Sequence, residues 1–243
     1  SLQWNTRGFM AERDVLIEIP ESQELIEFPF EVAHEPVIFD TVIGRMLELS
    51  RQNGLAEGLE SWLKREYHFA EPSIKTLIKT YTTLHQLERA GRDHIWGFVA
   101  RNLVRPIWLS QRDQRVDIVI GNPPWLSYRF MDAAMQKRFR EECQAFGIWA
   151  GGNVATHQDM SGYFFVRAVE LYLKTNGKIA FVMPYAAMTR KQFEGFRKGL
   201  YGVSQKRGSR TVYATVQFTE AWVLSDNVKP LFPVPSCVLF GNT

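Results

Sequence analysis

The chain has only two cysteines in 243 residues, Cys143 and Cys237, far apart and with no neighbouring partner. That scarcity excludes a disulfide framework and a zinc site of the usual short spacings, and it predicts a reduced, cytoplasmic setting. No apolar run approaches the roughly 18 residues needed for a membrane span, and no segment resembles a secretory signal, so no membrane partner is expected. The five histidines (His34, His68, His85, His94, His157) are scattered, and each reads as structural or exposed rather than catalytic. A large excess of one charge is also missing. The net charge of +3 permits contact with phosphates but is unlike the dense charge of a histone-like binder. Placement says more than the total: Arg190, Lys191, Arg197, Lys198, Lys206, Arg207 and Arg210 are opposed in that interval only by Glu194. This stretch reads either as a solvated helix face and loop or as a phosphate-contacting surface.

What is present is enough apolar residue, 45%, to bury a substantial core. Residues 1 to 110 form a mainly helical segment. A strand fits Asp14 to Ile19. A helix fits Asp40 to Gln52, with Val42, Ile43, Met46, Leu47 and Leu49 at helical spacing, a cap at Asp40 or Thr41, and a stop at Asn53-Gly54. A longer helix fits Pro72 to Ala90, and another, interrupted at Pro106, fits Ile95 to Trp108. No catalytic constellation falls in this half.

From 111 to 243 the pattern alternates between strand and helix. Val116 to Ile120 is a short apolar run of the kind buried on both faces of a parallel sheet. Ser161 to Lys174 reads as a helix closed by Asn176-Gly177, Lys178 to Met183 as a second buried strand, and Arg190 to Leu200 as a helix. Thr211 to Phe218 and Ser236 to Phe240 read as strands. This order predicts an α/β fold of the doubly wound type, in which ligands bind beyond the carboxyl ends of the strands.

At the end of the first of these strands the sequence runs Asp117-Ile-Val-Ile-Gly-Asn122-Pro123-Pro124-Trp125. Two adjacent prolines fix φ and remove two N–H donors, so the turn is stiff and rich in acceptors. The Asn122 amide oxygen and the Pro123 carbonyl are placed to accept both hydrogens of an amino group attached to a planar ring. Such a nitrogen is a poor nucleophile because its lone pair is delocalised. Two acceptors favour the pyramidal, positively charged nitrogen that forms as it takes a methyl group. Trp125 supplies a face on which a base stacks.

These residues resemble the Asn/Asp/Ser-Pro-Pro-aromatic motif of S-adenosylmethionine-dependent amino-methyltransferases, the adenine-N6 DNA enzymes of restriction–modification or phage-defence type above all. The Ser161 to Leu173 helix, the Gly177 to Pro184 strand and the closing Pro235 to Phe240 strand follow in the family's order, so the resemblance covers roughly residues 112 to 243. It implies a partial Rossmann-like methyltransferase sheet in residues 111 to 243, with residues 1 to 110 as an insertion or accessory segment. It further implies catalytic roles for Asn122, Pro123, Pro124 and Trp125, cofactor-binding positions at Asp117 and Phe164, and contact of Trp222 with a flipped base. DNA is the implied partner, and S-adenosylmethionine the implied cofactor.

The family's glycine-rich G-x-G loop, which cradles the methionine part of the cofactor, has no counterpart in these residues. The expectation is therefore a catalytic half whose cofactor-binding part belongs to the same polypeptide but lies outside residues 1 to 243, with Ser1-Leu2 either a junction or a continuation of an upstream loop. Alone, this chain is expected to bind S-adenosylmethionine weakly or not at all. Two other readings stay open: a protein-glutamine or RNA-guanine amino-methyltransferase, whose families share the same turn, and a non-catalytic nucleic-acid or partner-binding module.

Overall fold

The computed structural model describes residues 14–19, 24–90, 95–204, 210–224, 232 and 234–243. The chain divides into two compact units, Ser1–Trp108 and Leu109–Thr243.

In the first unit a β-hairpin, β1 (Val15–Glu18) and β2 (Leu25–Phe28), precedes a short helix α1 (Phe30–Ala33) and four longer ones: α2 (Pro36–Arg51), α3 (Ala56–Glu66), α4 (Glu71–Arg89) and α5 (Ile95–Leu109). Phe28, Phe39, Met46, Leu63, Leu77 and Tyr81 are buried together. The α4 helix lies within a residue of its sequence reading. The α2 helix starts four residues earlier than the pattern implied, because Pro36 is preset for the first helical turn. Asp40 is consequently no cap; it accepts from Arg101 Nε at 2.9 Å. Asn53, at a φ of 50°, ends the helix as expected. Pro106 does not interrupt α5, which runs through it to Leu109.

The second unit is mixed α/β. A four-stranded sheet in the order β3-β4-β8-β7 contains β3 (Val116–Gly121), β4 (Leu173–Pro184), β7 (Gln217–Val223) and β8 (Ser236–Asn242). The β3–β4 pair is parallel, whereas β4–β8 and β8–β7 are antiparallel. Helices α6 (Ala133–Phe146) and α7 (Met160–Tyr172) fall between β3 and β4; two single-turn helices, α8 (Ala186–Thr189) and α9 (Glu194–Arg197), follow β4, and β5 (Leu200–Ser204) pairs with β6 (Arg210–Thr215). The single helix expected over 190 to 200 is thus broken into short turns. Gly199 ends it at a φ of +65°, where an added Cβ would lie 2.1 Å from the Val216 carbonyl oxygen. Thr211 to Phe218, expected as one strand, divides at Val216, whose N–H donates to Gly199 O at 2.7 Å.

Side chains paired across adjacent strands share a face of the sheet. On one face Ile179, Phe181, Met183, Cys237 and Leu239 are buried with α7 residues Phe165, Val166 and Val169. On the other, the pairings Ile120↔Ala180, Ala180↔Phe240, Val182↔Val238 and Trp222↔Val238 align an apolar row that is not buried. Ile118 is 60% exposed and Ile120 80%. The expectation of a strand buried on both faces therefore fails for β3. Among the described residues it is an edge strand of a sheet covered on one face.

Candidate active site

The β3 strand ends where its backbone presses on β4. A Cβ on Gly121 would lie 2.9 Å from the Phe181 ring, so a larger residue here would have to displace that ring. Asn122 follows, exposed, with no side-chain hydrogen bond to any described residue; Pro123 is buried and Pro124 exposed. Trp125 is half-buried. Its indole N–H donates to Val182 O of β4 at 3.3 Å, which fixes the ring against the end of the neighbouring strand. The ring of Phe232 stacks on it, with centroids 5.4 Å apart and planes 22° from parallel.

Beside this pair opens a cleft of about 570 Å³, lined by Trp125, Ser127, Asp159, Pro184, Tyr185, Ala186, Thr189, Arg190, Val234 and Pro235. Its volume lies within the range of small-molecule sites. The walls are tied together by backbone bonds: Tyr185 N–H donates to Pro235 O at 2.8 Å, Met160 N–H to Leu126 O at 3.1 Å, and Tyr128 N–H to Gln158 O at 2.7 Å. From α9, Arg197 Nη1 donates to Ala187 O at 3.1 Å and Arg190 O at 2.9 Å, pinning the segment that carries Arg190.

Among the described residues, Asp159 is the one acid on the cleft wall. It caps α7, accepting on Oδ1 from the Ser161 N–H at 2.8 Å and from the Ser161 hydroxyl. Burial pushes its carboxyl above the usual carboxylate range, against the opposing pull of both Ser161 hydrogen bonds. The other carboxylate oxygen makes no hydrogen bond to a described residue, leaving it available at the cleft.

The model of the family described as "Eco57I restriction-modification methylase" matches residues 46–212, more than half of the chain and parts of both units. The chain belongs to this methylase family. No curated protein matches it. Membership makes it a restriction–modification type DNA methyltransferase in general class. No helix among the described residues is long and apolar enough to cross a membrane, and no described group of acidic, cysteine and histidine side chains could hold a metal ion.

Within this methylase, Asn122, Pro123, Pro124 and Trp125 lie together at the end of β3. The other sequence-derived site residues do not join them. Asp117 lies toward the opposite end of the strand, about 16 Å from Asn122 at the rise of an extended chain, and pairs with Lys174 Nζ at 3.1 Å. Phe164 is 39% exposed on α7, edge-on to Tyr163, and does not line the cleft. Trp222, 57% exposed, lies on β7, two strands from β4, with its ring 4.6 Å from that of Phe240. Of the basic stretch, Arg190 reaches the cleft and Arg197 is spent on backbone carbonyls; Lys206, Arg207 and the side chain of Arg210 lie outside the described residues, as does Ser1-Leu2.

Sequence reasoning placed Pro184-Tyr185 at a ligand-binding strand end and Arg190 in the basic stretch, but it missed Asp159 on the cleft wall and Phe232 beside Trp125. A signal for Phe232 existed in the run Leu-Phe-Pro-Val-Pro before the last strand, an aromatic in a proline-rich approach to a strand. Asp159 carried the helix-start pattern Asp-x-Ser, which announces a cap but not a cleft.

Proposed function

We propose that the chain is the catalytic part of an adenine-N6 DNA methyltransferase of restriction–modification or defence type, acting on an adenine flipped from the duplex. The observation that carries this reading is the parallel pair Trp125 and Phe232 beside Asn122-Pro123 at the end of a parallel strand. Two parallel aromatic faces suit a flat, apolar-faced heterocycle, and N6 inside a duplex is out of reach until its base leaves the stack. Separation of the two rings admits the base between them. The Asn122 amide oxygen and the Pro123 carbonyl then accept the two N6 hydrogens and favour positive charge on the nitrogen as it acquires the methyl group; the surplus proton leaves to solvent.

The family's methyl donor is S-adenosylmethionine, which would supply an electrophilic methyl on a sulfonium, the C–S bond breaking to leave a neutral thioether. The two positions that the resemblance gave to the donor do not converge on the cleft: Asp117 is paired with Lys174, and Phe164 is apart from the cleft. We assign the cradle to a further part of the same polypeptide that adds to the free edge of β3 and covers the open row of Ile118, Ile120, Val238, Phe240 and Trp222. An uncovered apolar face on a parallel edge strand is unusual in a finished α/β sheet and supports that assignment.

The test is methyl transfer from tritiated S-adenosylmethionine to unmethylated DNA by the full gene product and its Asn122→Ala variant. A loss of about 100-fold or more is expected, the scale of removing one electrostatic contact to a transition state. Retained activity in the variant refutes the role given to Asn122. Transfer to a protein glutamine or to RNA but not to DNA moves the assignment to those substrates.

A further inference from the structure

Phe130 is 67% exposed, yet the single-turn helix that carries it, Tyr128–Phe130, is held from several directions. The Phe130 N–H donates to Ser127 O at 2.9 Å and the Met131 N–H to Tyr128 O at 3.1 Å. From α6, Gln136 Nε2 donates to Tyr128 O at 3.0 Å and to Met131 O at 3.1 Å. The flanking side chains turn inward: Met131 is buried, and the Tyr128 ring lies 5.2 Å from Trp149 and 6.2 Å from Phe139. A rigid backbone therefore holds one aromatic ring outward, three residues beyond Ser127 on the cleft wall.

The guanidinium carbon of Arg129 stands 4.6 Å from the centre of the Phe130 ring. Lys137 and Arg140, one turn apart on the helix that clamps this turn, are also exposed. Of the nearby acids, Asp132 is engaged in capping α6 through the Met135 N–H at 2.8 Å, and Glu141 is exposed. A stacking face with a guanidinium against it matches an unpaired base and its phosphate better than it matches a neutral surface.

We propose that Arg129 and Phe130 form a nucleic-acid contact at the rim of the Trp125 cleft. Phe130 stacks on a base beside the flipped target, entering the gap that the target leaves, and Arg129 meets an adjacent phosphate. This rests on the methyltransferase reading above and adds the residues that hold the distorted DNA.

The experiment titrates a fluorescently labelled, mixed-sequence DNA duplex with the full gene product at several salt concentrations and follows anisotropy. Phe130→Ala is expected to weaken binding by roughly ten- to a hundredfold without changing the salt dependence, and Phe130→Trp to restore it. Arg129→Ala is expected to lower the slope of log affinity against log salt by about one. Because Phe130 is exposed, its variants keep the parent Tm, so a loss of binding reports on contact and not on folding. Parent-like DNA binding by both alanine variants overturns the proposal, including the outcome in which they lose a protein partner instead. In that case methyl transfer by the parent, with its loss in Asn122→Ala, leaves the proposed chemistry standing; a parent that binds no DNA removes both.

Discussion

The indole of Trp125 and the ring of Phe232 lie face to face, 5.4 Å between centroids, although one follows the first strand of its unit and the other precedes the last. Their approach is a product of the sheet order. Because β8 pairs with β4, next to β3, the segment leading into β8 arrives at the same end of the sheet as the turn leaving β3.

Stacking of a base on one aromatic face is worth about 1–3 kcal/mol. Phe232→Ala in the full gene product is expected to lower kcat/KM for methyl transfer roughly ten- to a hundredfold. Trp222→Ala, two strands from β4, is expected to change it far less when assayed at a temperature where both variants stay folded. Steady-state assays on unmethylated DNA check the contrast, and equal losses would return Trp222 to the base site.

Gly121→Ala forces a Cβ to within 2.9 Å of the Phe181 ring. Overpacking of this kind costs about 1–3 kcal/mol, so a lower midpoint in urea is expected. Activity falls further than stability, since the push is delivered to the residue before Asn122. Unchanged melting together with unchanged activity would mean that the end of β3 tolerates displacement.

Asp159 gives the chain a defined pH response. Its carboxyl is raised in the folded state, so over the interval from the ordinary value of 3.8 up to the raised one the folded protein holds more protons than the unfolded. The stability contributed by this group is therefore present at low pH and is lost as pH rises through that interval. Asn is as good a helix cap as Asp and carries no charge. Asp159→Asn should thus be at least as stable as the parent at neutral pH, with the difference closing on acidification. Urea melts of the two proteins across that range measure it, and a difference that grows on acidification contradicts the assignment.

Much of this fold was legible because periodicity reports burial. The α4 helix and the core strand β4 announce themselves through Leu77, Tyr81, Ile179 and Phe181, residues whose spacing is enforced by one packed face. The Asn122 to Trp125 turn was legible because proline chemistry is local. What was hidden depends on contacts distant in sequence. The left-handed Gly199 meets Val216, which breaks both a helix and a strand that look continuous in isolation. The open face of β3 was hidden as well, since Ile118 and Ile120 read as buried residues and nothing local shows that their cover is absent. Phe232 carries no local signal of its partner, and the family resemblance pointed instead to Trp222 as the base contact.

The open sheet face yields its own prediction. Ile120 is 80% exposed, so Ile120→Glu should leave the melting of residues 1–243 nearly unchanged. The proposed cover of this face in the full gene product would bury that charge, and a loss of stability of several kcal/mol is expected there. Thermal melts of both proteins decide, and an equal effect in both would mean that no further body covers this face.

The most direct measurement is nucleoside analysis by mass spectrometry after the full gene product is incubated with unmethylated DNA and S-adenosylmethionine. N6-methyldeoxyadenosine is expected with the parent, and none above background with Asn122→Ala. A methylated cytosine without methylated adenine, no methylated nucleoside at all, or equal adenine methylation by the variant would contradict the assignment of Asn122 and its turn to adenine-N6 transfer.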